Sequence, residues 1–132
     1  MSRDLSQIEP RLRAGVPKIL AAMATIGFPM MVTDAVRTLE EQQALYAQGR
    51  TKPGPIVTNA DGVIKKSNHQ VHEDGLGRAV DCCFIITGAP SWDVHLPWGA
   101  YGALAKALGF KWGGDWSTIQ TGLHDLPHVE II

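Results

Sequence analysis

Two histidines and two aspartates in this chain of 132 residues have neighbours that suggest chemistry. His69 lies just after Ser67 and leads into a glycine-containing turn, and Asp81 stands at the mouth of a strongly apolar stretch. Near the C-terminus, Asp125 comes three positions before His128. Zinc hydrolases use three protein ligands on nitrogen and oxygen, an open fourth position for water, and a nearby general base. The pattern predicts zinc ligation by His69, Asp81 and His128, with Asp125 as the base.

Each of these residues also has an ordinary interpretation. A single histidine is more often a surface or satisfied core residue than a ligand, and Asp125 alone is typical of a turn. Asp81 on its own is most simply a strand-end carboxylate, although a carboxylate is expensive to bury beside an apolar strand without a cation or partner. Zinc lowers the pKa of bound water towards about 7, so an aspartate with an ordinary pKa of about 3.9 can serve as its base. The hypothesis of a zinc site therefore rests on the combination of these residues and not on any one of them.

The N-terminal third predicts the first elements that must position these groups. Apolar residues spaced by three and four predict an amphipathic helix over residues 8–26, and Pro17 is expected to kink or divide it. Residues 28–36 follow with an apolar body and predict a strand. Thr38 and Glu41 then form a capping-box pattern, which predicts the start of a second helix.

The rest of the chain predicts a loop, two strands and a helix. The second helix should end at Gly49, and residues 50–66 contain proline and glycine pairs typical of a loop or a loose hairpin. Residues 79–86 are almost continuously apolar and predict a central strand. A third helix over 98–108, a tight loop at 112–116 and a short strand over 128–132 complete the prediction.

Composition sets the class of protein. Hydrophobic residues make up 45% and charged residues 19% of the chain, which is ordinary for a soluble globular protein. The net charge of −1 gives no electrostatic indication of nucleic-acid or anionic-membrane binding. Cys82 and Cys83 are adjacent, so a disulfide between them would need unusual geometry, and they are interpreted as buried thiols. We expect a single catalytic domain over residues 1–132, of the α+β class, with a small, mostly antiparallel sheet flanked by helices.

No targeting or spanning segment is evident in the sequence. The N-terminus lacks the apolar core of a signal peptide, and the apolar run at 19–31 is too short to span a bilayer. The expectation is synthesis in the host cytoplasm without a signal peptide and without membrane insertion.

Four motifs occur in a characteristic order: Ser-x-His, Gly-x-Ala-x-Asp, Trp-Gly-Gly-Asp-Trp and Asp-x-Pro-His-x-Glu. Together they resemble the M15 metallopeptidases of the D-Ala-D-Ala carboxypeptidase/VanY type, above all the L-alanyl-D-glutamate endopeptidases found as phage endolysins and bacterial wall lytic enzymes. The resemblance extends from residue 32 to the C-terminus and includes Val36-Arg37-Thr38 with the helix that follows. It implies a Hedgehog/D-Ala-D-Ala peptidase-like fold.

The resemblance implies roles for individual residues. His69, Asp81 and His128 would bind Zn²⁺, and Asp125 would be the base. Arg37 would hold a substrate carboxylate or the oxyanion, a task that suits the forked donors of a guanidinium. Supporting roles fall to residues that would brace the ligand loop, shape the cleft or orient the imidazole of His128: Ser67, Trp112, Asp115, Trp116 and Glu130.

One departure from the family pattern leaves an alternative open. Seven residues separate His69 from the glycine of Gly-x-Ala-x-Asp, where the commoner pattern has two, and one of the seven is His72. His69 is preferred because it preserves Ser-x-His. His72 remains the alternative first ligand.

The implied function is zinc-dependent cleavage of the peptidoglycan stem peptide, most simply at the L-alanyl-D-glutamate bond, by a monomeric endolysin of the phage type. Such a protein would reach the cell wall, in the periplasm, after release through a membrane pore. Two alternatives remain: a D-alanyl-D-alanine carboxypeptidase or dipeptidase, and a non-catalytic wall-binding module that contains zinc.

Overall fold

The structure, a computed structural model, describes residues 2–116 and 124–131. The elements within these ranges are α1 (Pro10–Thr25), β1 (Met30–Asp34), α2 (Leu39–Ala47), β2 (Ala79–Ile86), β3 (Ala89–Ser91), α3 (Trp98–Ala107), β4 (Lys111–Trp112), a 3₁₀ turn (Gly113–Asp115) and β5 (His128–Glu130).

The strands form one sheet in which every pairing between named strands is antiparallel. The order is β1-β2-β5-β4, and β3 pairs with the far end of β2. The long strand β2 is therefore central, as its continuous apolar run predicts. The α+β class and the small antiparallel sheet flanked by helices are confirmed.

Strand β1 contains a one-residue irregularity, which determines which of its residues lies opposite Asp81 in β2. Met31 pairs with Cys83 and Val32 with Cys82, but the next pair joins Asp34 to Asp81. Thr33 is thus an extra residue, a β-bulge, and its hydroxyl donates to the carbonyl of Asp81 at 3.3 Å. Bulges redirect the side chains that follow them. Here the bulge places Asp34 opposite Asp81.

The core lies between the sheet and the helices α1 and α3. It joins the buried stripe of α1 to apolar residues of β2 and α3 that are fully or almost fully buried, among them Leu12, Ile19, Met23, Val80, Phe84, Trp98 and Tyr101. Trp98 packs edge-on against Phe84, with ring centroids 4.8 Å apart. Helix α1 runs unbroken across Pro17, so of the two expected outcomes, a kink or a division, division is wrong. A proline removes one hydrogen bond, and packing of the same stripe on both sides offsets that loss.

The short pairings were not predicted. Residues 89–91 belong to none of the predicted elements, yet they turn back and pair with β2 as β3. Trp112 was assigned to the tight loop at 112–116, but together with Lys111 it forms β4, which pairs with β5. Residues 50–66 contain no helix or strand, as predicted. The predicted last strand extended to Ile132, which lies outside the described residues. In the part of the chain that the structure describes, no helix is long and apolar enough to cross a membrane.

Candidate metal centre

The three residues predicted to bind zinc converge at one point of the sheet. Nε2 of His69 lies 3.2 Å from Nδ1 of His128, and Oδ1 of Asp81 lies 3.3 Å from each of these nitrogens. Both histidines are buried, and the Asp81 side chain is 20% exposed. Within the described residues this is the one group of histidine, cysteine and carboxylate side chains arranged to hold a metal ion.

The spacing and chemistry of these atoms fit zinc. Four ligands at about 2.0–2.1 Å from a tetrahedral ion are about 3.3 Å apart from one another, which matches the observed triangle. Oδ1 of Asp81 is buried and accepts no hydrogen bond from the described residues, a state that normally needs an explanation such as an ion. Two nitrogens and one carboxylate oxygen with an open fourth position are the ligand set of catalytic zinc sites.

Partners behind the two imidazoles fix which nitrogen faces the cluster. Nδ1 of His69 lies 3.0 Å from the carbonyl of Ala35, and Nε2 of His128 lies 2.7 Å from Oε1 of Glu130. A carbonyl and a carboxylate only accept hydrogen bonds, so both of these nitrogens carry protons. The opposite nitrogens, which face Asp81, are then available for an ion. Such outer partners are typical of metal-binding histidines.

The electrostatics of the cluster favour a bound cation. Burial alone would raise the pKa of the Asp81 carboxyl, but the charge of His69 and the contact with His128 hold that pKa well below its usual range. Burial lowers the pKa of His128, yet Asp81 and Glu130 outweigh it and raise the pKa to about 10. The low pKa of Asp81 keeps a negative charge at the point where a cation would bind.

The sheet register explains why distant residues meet. Asp34 pairs with Asp81, and Asp81 pairs with His128, so the three positions form one row across β1, β2 and β5. Directly opposed residues in antiparallel strands project from the same face. His69 joins this row from the preceding loop, where its carbonyl accepts from the backbone N–H of Arg37 at 2.8 Å.

Asp125 lies beside the cluster on the turn before β5. Its Oδ2 is 3.6 Å from Nδ1 of His128, and its side chain is 46% exposed. Burial, together with the negative charge of Asp81, raises the pKa of Asp125 above its ordinary value. A carboxylate that reaches both the cluster and solvent is placed to exchange protons with water.

The turn that carries Asp125 is braced from three sides. The carbonyl of Gly113 accepts from the N–H of Asp125 at 3.1 Å, and a methyl group on Gly113 would meet the Asp125 carbonyl at 2.2 Å. The indole of Trp112 donates to the carbonyl of Leu126 at 2.8 Å, and the hydroxyl of Tyr101 donates to that of Pro127 at 2.8 Å. Trp112, which is partly buried, therefore supports the turn through this hydrogen bond.

Arg37 lies in a buried network next to the cluster. Its Nη2 donates to Oδ2 of Asp34 and its Nη1 to Oε1 of Gln42, both at 2.6 Å. The same Asp34 oxygen is 3.8 Å from Nδ1 of His69, so the guanidinium lies on the side of His69 that faces away from Asp81. Nε of Arg37 is buried without a hydrogen-bond partner among the described residues.

Sequence reasoning missed Asp34 and Gln42. Asp34 ends an apolar strand, the same signal that singled out Asp81, and burial raises the pKa of its carboxyl although the neighbouring His69 and Arg37 act in the opposite direction. Gln42 is completely buried on α2 and donates to the carbonyl of Ala60 at 2.7 Å. A helix position that looks solvated in sequence therefore ties Arg37 to the long loop.

The other predicted site residues divide into those near the cluster and those away from it. Trp116 lies near it, with its ring 4.8 Å from that of His128. The hydroxyl of Ser67 accepts from the N–H of His69 at 3.2 Å. Asp115 faces Lys106, with an ion pair of 3.0 Å, rather than the cluster. His72, the alternative ligand, is outside the cluster and contacts the carbonyl of Gln70.

Comparisons with known proteins agree with this site. A family model described as D-alanyl-D-alanine carboxypeptidase, of the M15 peptidases, matches residues 62–131. The peptidoglycan L-alanyl-D-glutamate endopeptidase CwlK of Bacillus subtilis (strain 168) is 34% identical over 96% of this chain and 75% of its own length. The chain therefore belongs to the M15 family of metallopeptidases, whose cofactor is zinc.

Two further relatives show the range of the family. The L-alanyl-D-glutamate peptidase of Listeria phage A118 is 28% identical to this chain. The match covers 96% of this chain but only 39% of the phage protein. The vancomycin-resistance D,D-pentapeptidase VanY from a VanB-type cassette, solved in complex with Zn(II), superposes with a TM-score of 0.63 at 20% identity. That superposition covers 94% of this chain and 72% of VanY, and it shows a shared fold.

Proposed function

We propose that this protein is a zinc endopeptidase that hydrolyses the L-alanyl-D-glutamate bond of the peptidoglycan stem peptide. The bond assignment is supported by the CwlK relative, which matches over most of both chains and is named for that activity. The observation that carries the reaction type is the triangle of His69, Asp81 and His128, with Asp125 at its open side.

The proposed roles follow from the positions of the side chains. His69, Asp81 and His128 would hold the zinc, and Glu130 would keep His128 oriented towards it. Bound zinc would supply Lewis acidity, which makes a water molecule acidic and polarises the substrate carbonyl. Asp125 would take a proton from the attacking water and return it to the leaving amine nitrogen as the C–N bond breaks. Trp116, partly exposed beside His128, would line the cleft.

Arg37 would stabilise negative charge that develops on the substrate carbonyl oxygen or hold a substrate carboxylate. Support comes from its fixed position, since Asp34 and Gln42 hold the guanidinium in a buried setting. Because both Nη groups are engaged and the group lies behind His69, its influence would be exerted largely through charge. An Arg37→Lys variant, which retains the charge, should therefore retain more of kcat than an Arg37→Gln variant, which removes it.

The experiment that tests the function combines product analysis with metal dependence. Purified protein with zinc should release stem peptides that begin at D-glutamate from isolated peptidoglycan, and a chelator should abolish the release. Asp93→Asn, which alters an exposed carboxylate paired with His95, is the matched control and should behave as wild type. Intact peptidoglycan in the presence of zinc would refute the proposal.

A second candidate is a D-alanyl-D-alanine carboxypeptidase, favoured by the description of the matching family model. The same digestion separates the two activities, because a carboxypeptidase would release free D-alanine and leave the first bond of the stem intact.

The biological setting we propose is that of a phage-type lysin, acting as a monomer on the cell wall after release from the cytoplasm. The relative from a Listeria phage supports it. Expression in the cytoplasm of a Gram-negative host should be tolerated, and co-expression of a pore-forming protein should then cause lysis.

A further inference from the structure

Asn68 links the loop that carries His69 to the strand that carries His128. Its side-chain Nδ2 donates to Oε2 of Glu130 at 2.7 Å, although the two residues are almost half the chain apart in the sequence. The other oxygen of Glu130, Oε1, lies 2.7 Å from Nε2 of His128. Each oxygen of this carboxylate therefore has one partner, on opposite sides.

We propose that Asn68 is a positioning residue of the metal centre: by holding Glu130, it fixes the imidazole of His128 in the orientation that metal binding needs. Asn68 touches neither the cluster nor the reacting atoms. The inference rests on the proposed function only in that His128 is taken as a zinc ligand.

The hydrogen bonds around the carboxylate of Glu130 support a positioning role for Asn68. A carboxylate only accepts hydrogen bonds, so the amide of Asn68 must present its N–H groups to Glu130. A hydrogen bond to a single oxygen would leave the carboxylate free to turn about its last bond. Two hydrogen bonds to different oxygens fix its plane, and that plane fixes the direction of the proton on Nε2 of His128. Groups that orient metal-binding histidines in this way support metal affinity.

The backbone of Asn68 is anchored to the same part of the sheet. Its carbonyl accepts from the N–H of Arg78 at 2.7 Å, and the carbonyl of Arg78 accepts from the N–H of Ile131 at 3.2 Å. The amide of Asn68 and the carboxylate of Glu130 are thus held at a set distance by main-chain contacts. The dipeptide Asn68-His69 supplies one candidate ligand with one side chain and steadies a second ligand with the other.

Zinc affinity measured by competition with a chromogenic chelator tests the proposal. Four proteins are compared: wild type, Asn68→Ala, Glu130→Ala and the double variant. Loss of Glu130 should weaken zinc binding about 10–100-fold, as is usual for such partners. Asn68→Ala should weaken it by about 3–10-fold, which corresponds to the usual net contribution of one hydrogen bond. In the Glu130→Ala background, Asn68→Ala should change affinity less than about twofold, because its effect passes through Glu130.

Asn68→Asp is the second variant, used also if the alanine variant does not fold. It keeps the shape of the side chain but turns a donor into an acceptor that faces Glu130, so it should weaken zinc binding at least as much. Gln48→Ala is the matched control, since it removes an amide that donates to the carbonyl of Pro55 at 3.0 Å on the exposed surface. That variant should keep wild-type affinity.

The outcomes separate this inference from the function. Unchanged zinc affinity in both Asn68 variants would overturn it, as would an equal loss for Asn68→Ala with and without Glu130, which indicates a merely structural effect. Wild-type protein that binds no zinc would refute the proposed function instead. Wild-type protein that binds zinc, with Asn68 variants that bind it equally well, would refute this inference alone.

Discussion

The candidate zinc ligands come from two regions that are built in different ways. Asp81 and His128 lie on paired strands, where the main-chain ladder sets their separation. His69 lies on a loop, where separate hydrogen bonds hold it: its N–H donates to Ser67, its carbonyl accepts from Arg37, and its ring contacts Ala35. The strand region is organised by pairing that the whole sheet shares, whereas the loop region depends on individual contacts. Substitutions in the strand region and in the loop region should therefore disturb the cluster in different ways.

The largest effect is expected from removal of a ligand in either region. Asp81→Asn on the strand and His69→Ala on the loop should each lose zinc by more than the roughly 10–100-fold that the loss of a supporting partner costs. Zinc content by elemental analysis, with circular dichroism to confirm folding, measures this. His72→Ala is the control for the loop and should keep about one zinc per chain. If His72→Ala lost zinc while His69→Ala kept it, the first zinc ligand would be His72 and not His69.

Asp125→Asn should separate chemistry from metal binding. Removal of a general base typically costs about 10²–10⁴-fold in rate. The amide keeps the shape of the turn, so zinc content should stay at the wild-type level while kcat on muropeptides falls by that factor. A variant with wild-type kcat would show that Asp125 is not the base.

Asp34→Asn should weaken the loop region through Arg37. The Asp34–Arg37 pair is almost fully buried at 2.6 Å, and removal of one partner of such a pair costs about 3–5 kcal/mol. Chemical denaturation should show a loss of this order in the free energy of unfolding. Asp74→Asn breaks a half-exposed pair with Arg78 at 3.6 Å and should cost less than about 1 kcal/mol. Equal losses in the two variants would contradict the distinction.

The smallest effect expected is a dependence of zinc affinity on pH, which arises in the strand region. The pKa of His128 in the metal-free protein is about 10, so its ring is protonated at neutral pH. Zinc must displace that proton, and the apparent affinity should therefore rise about tenfold per pH unit up to the pKa. Calorimetry in buffers of different ionisation enthalpy should show about one proton released per zinc. Affinity that stays constant between about pH 6 and 8 would contradict this.

The difference between the regions also explains what could be predicted from the sequence. The apolar run of β2 and the capping box of α2 are local signals, and both elements form where expected. His69, Asp81 and His128 were found through motif spacing, and the structure brings these three side chains together.

Asp34, Gln42 and Asn68 were not found through motif spacing. Asp34 reaches the cluster because of a bulge that no local pattern dictates. Gln42 and Asn68 act through partners far along the chain, Ala60 and Glu130, which only tertiary structure reveals. Side-chain hydrogen bonds of this kind depend on distances that sequence spacing does not encode.

The bulge at Thr33 gives the chain an unequal tolerance to changes in length. Residues can be inserted into or deleted from a surface loop such as 50–66 at small cost, because the ends of a loop stay where they are. Within β1, one inserted residue that joined the regular ladder before the bulge would move Asp34 from its place opposite Asp81 to a place opposite Val80 and would reverse its face. Deletion of Thr33 would instead remove the bulge and leave the two aspartates opposed. Among relatives, variation in length should therefore be common in the loop, whereas an insertion at this point of β1 should be absent.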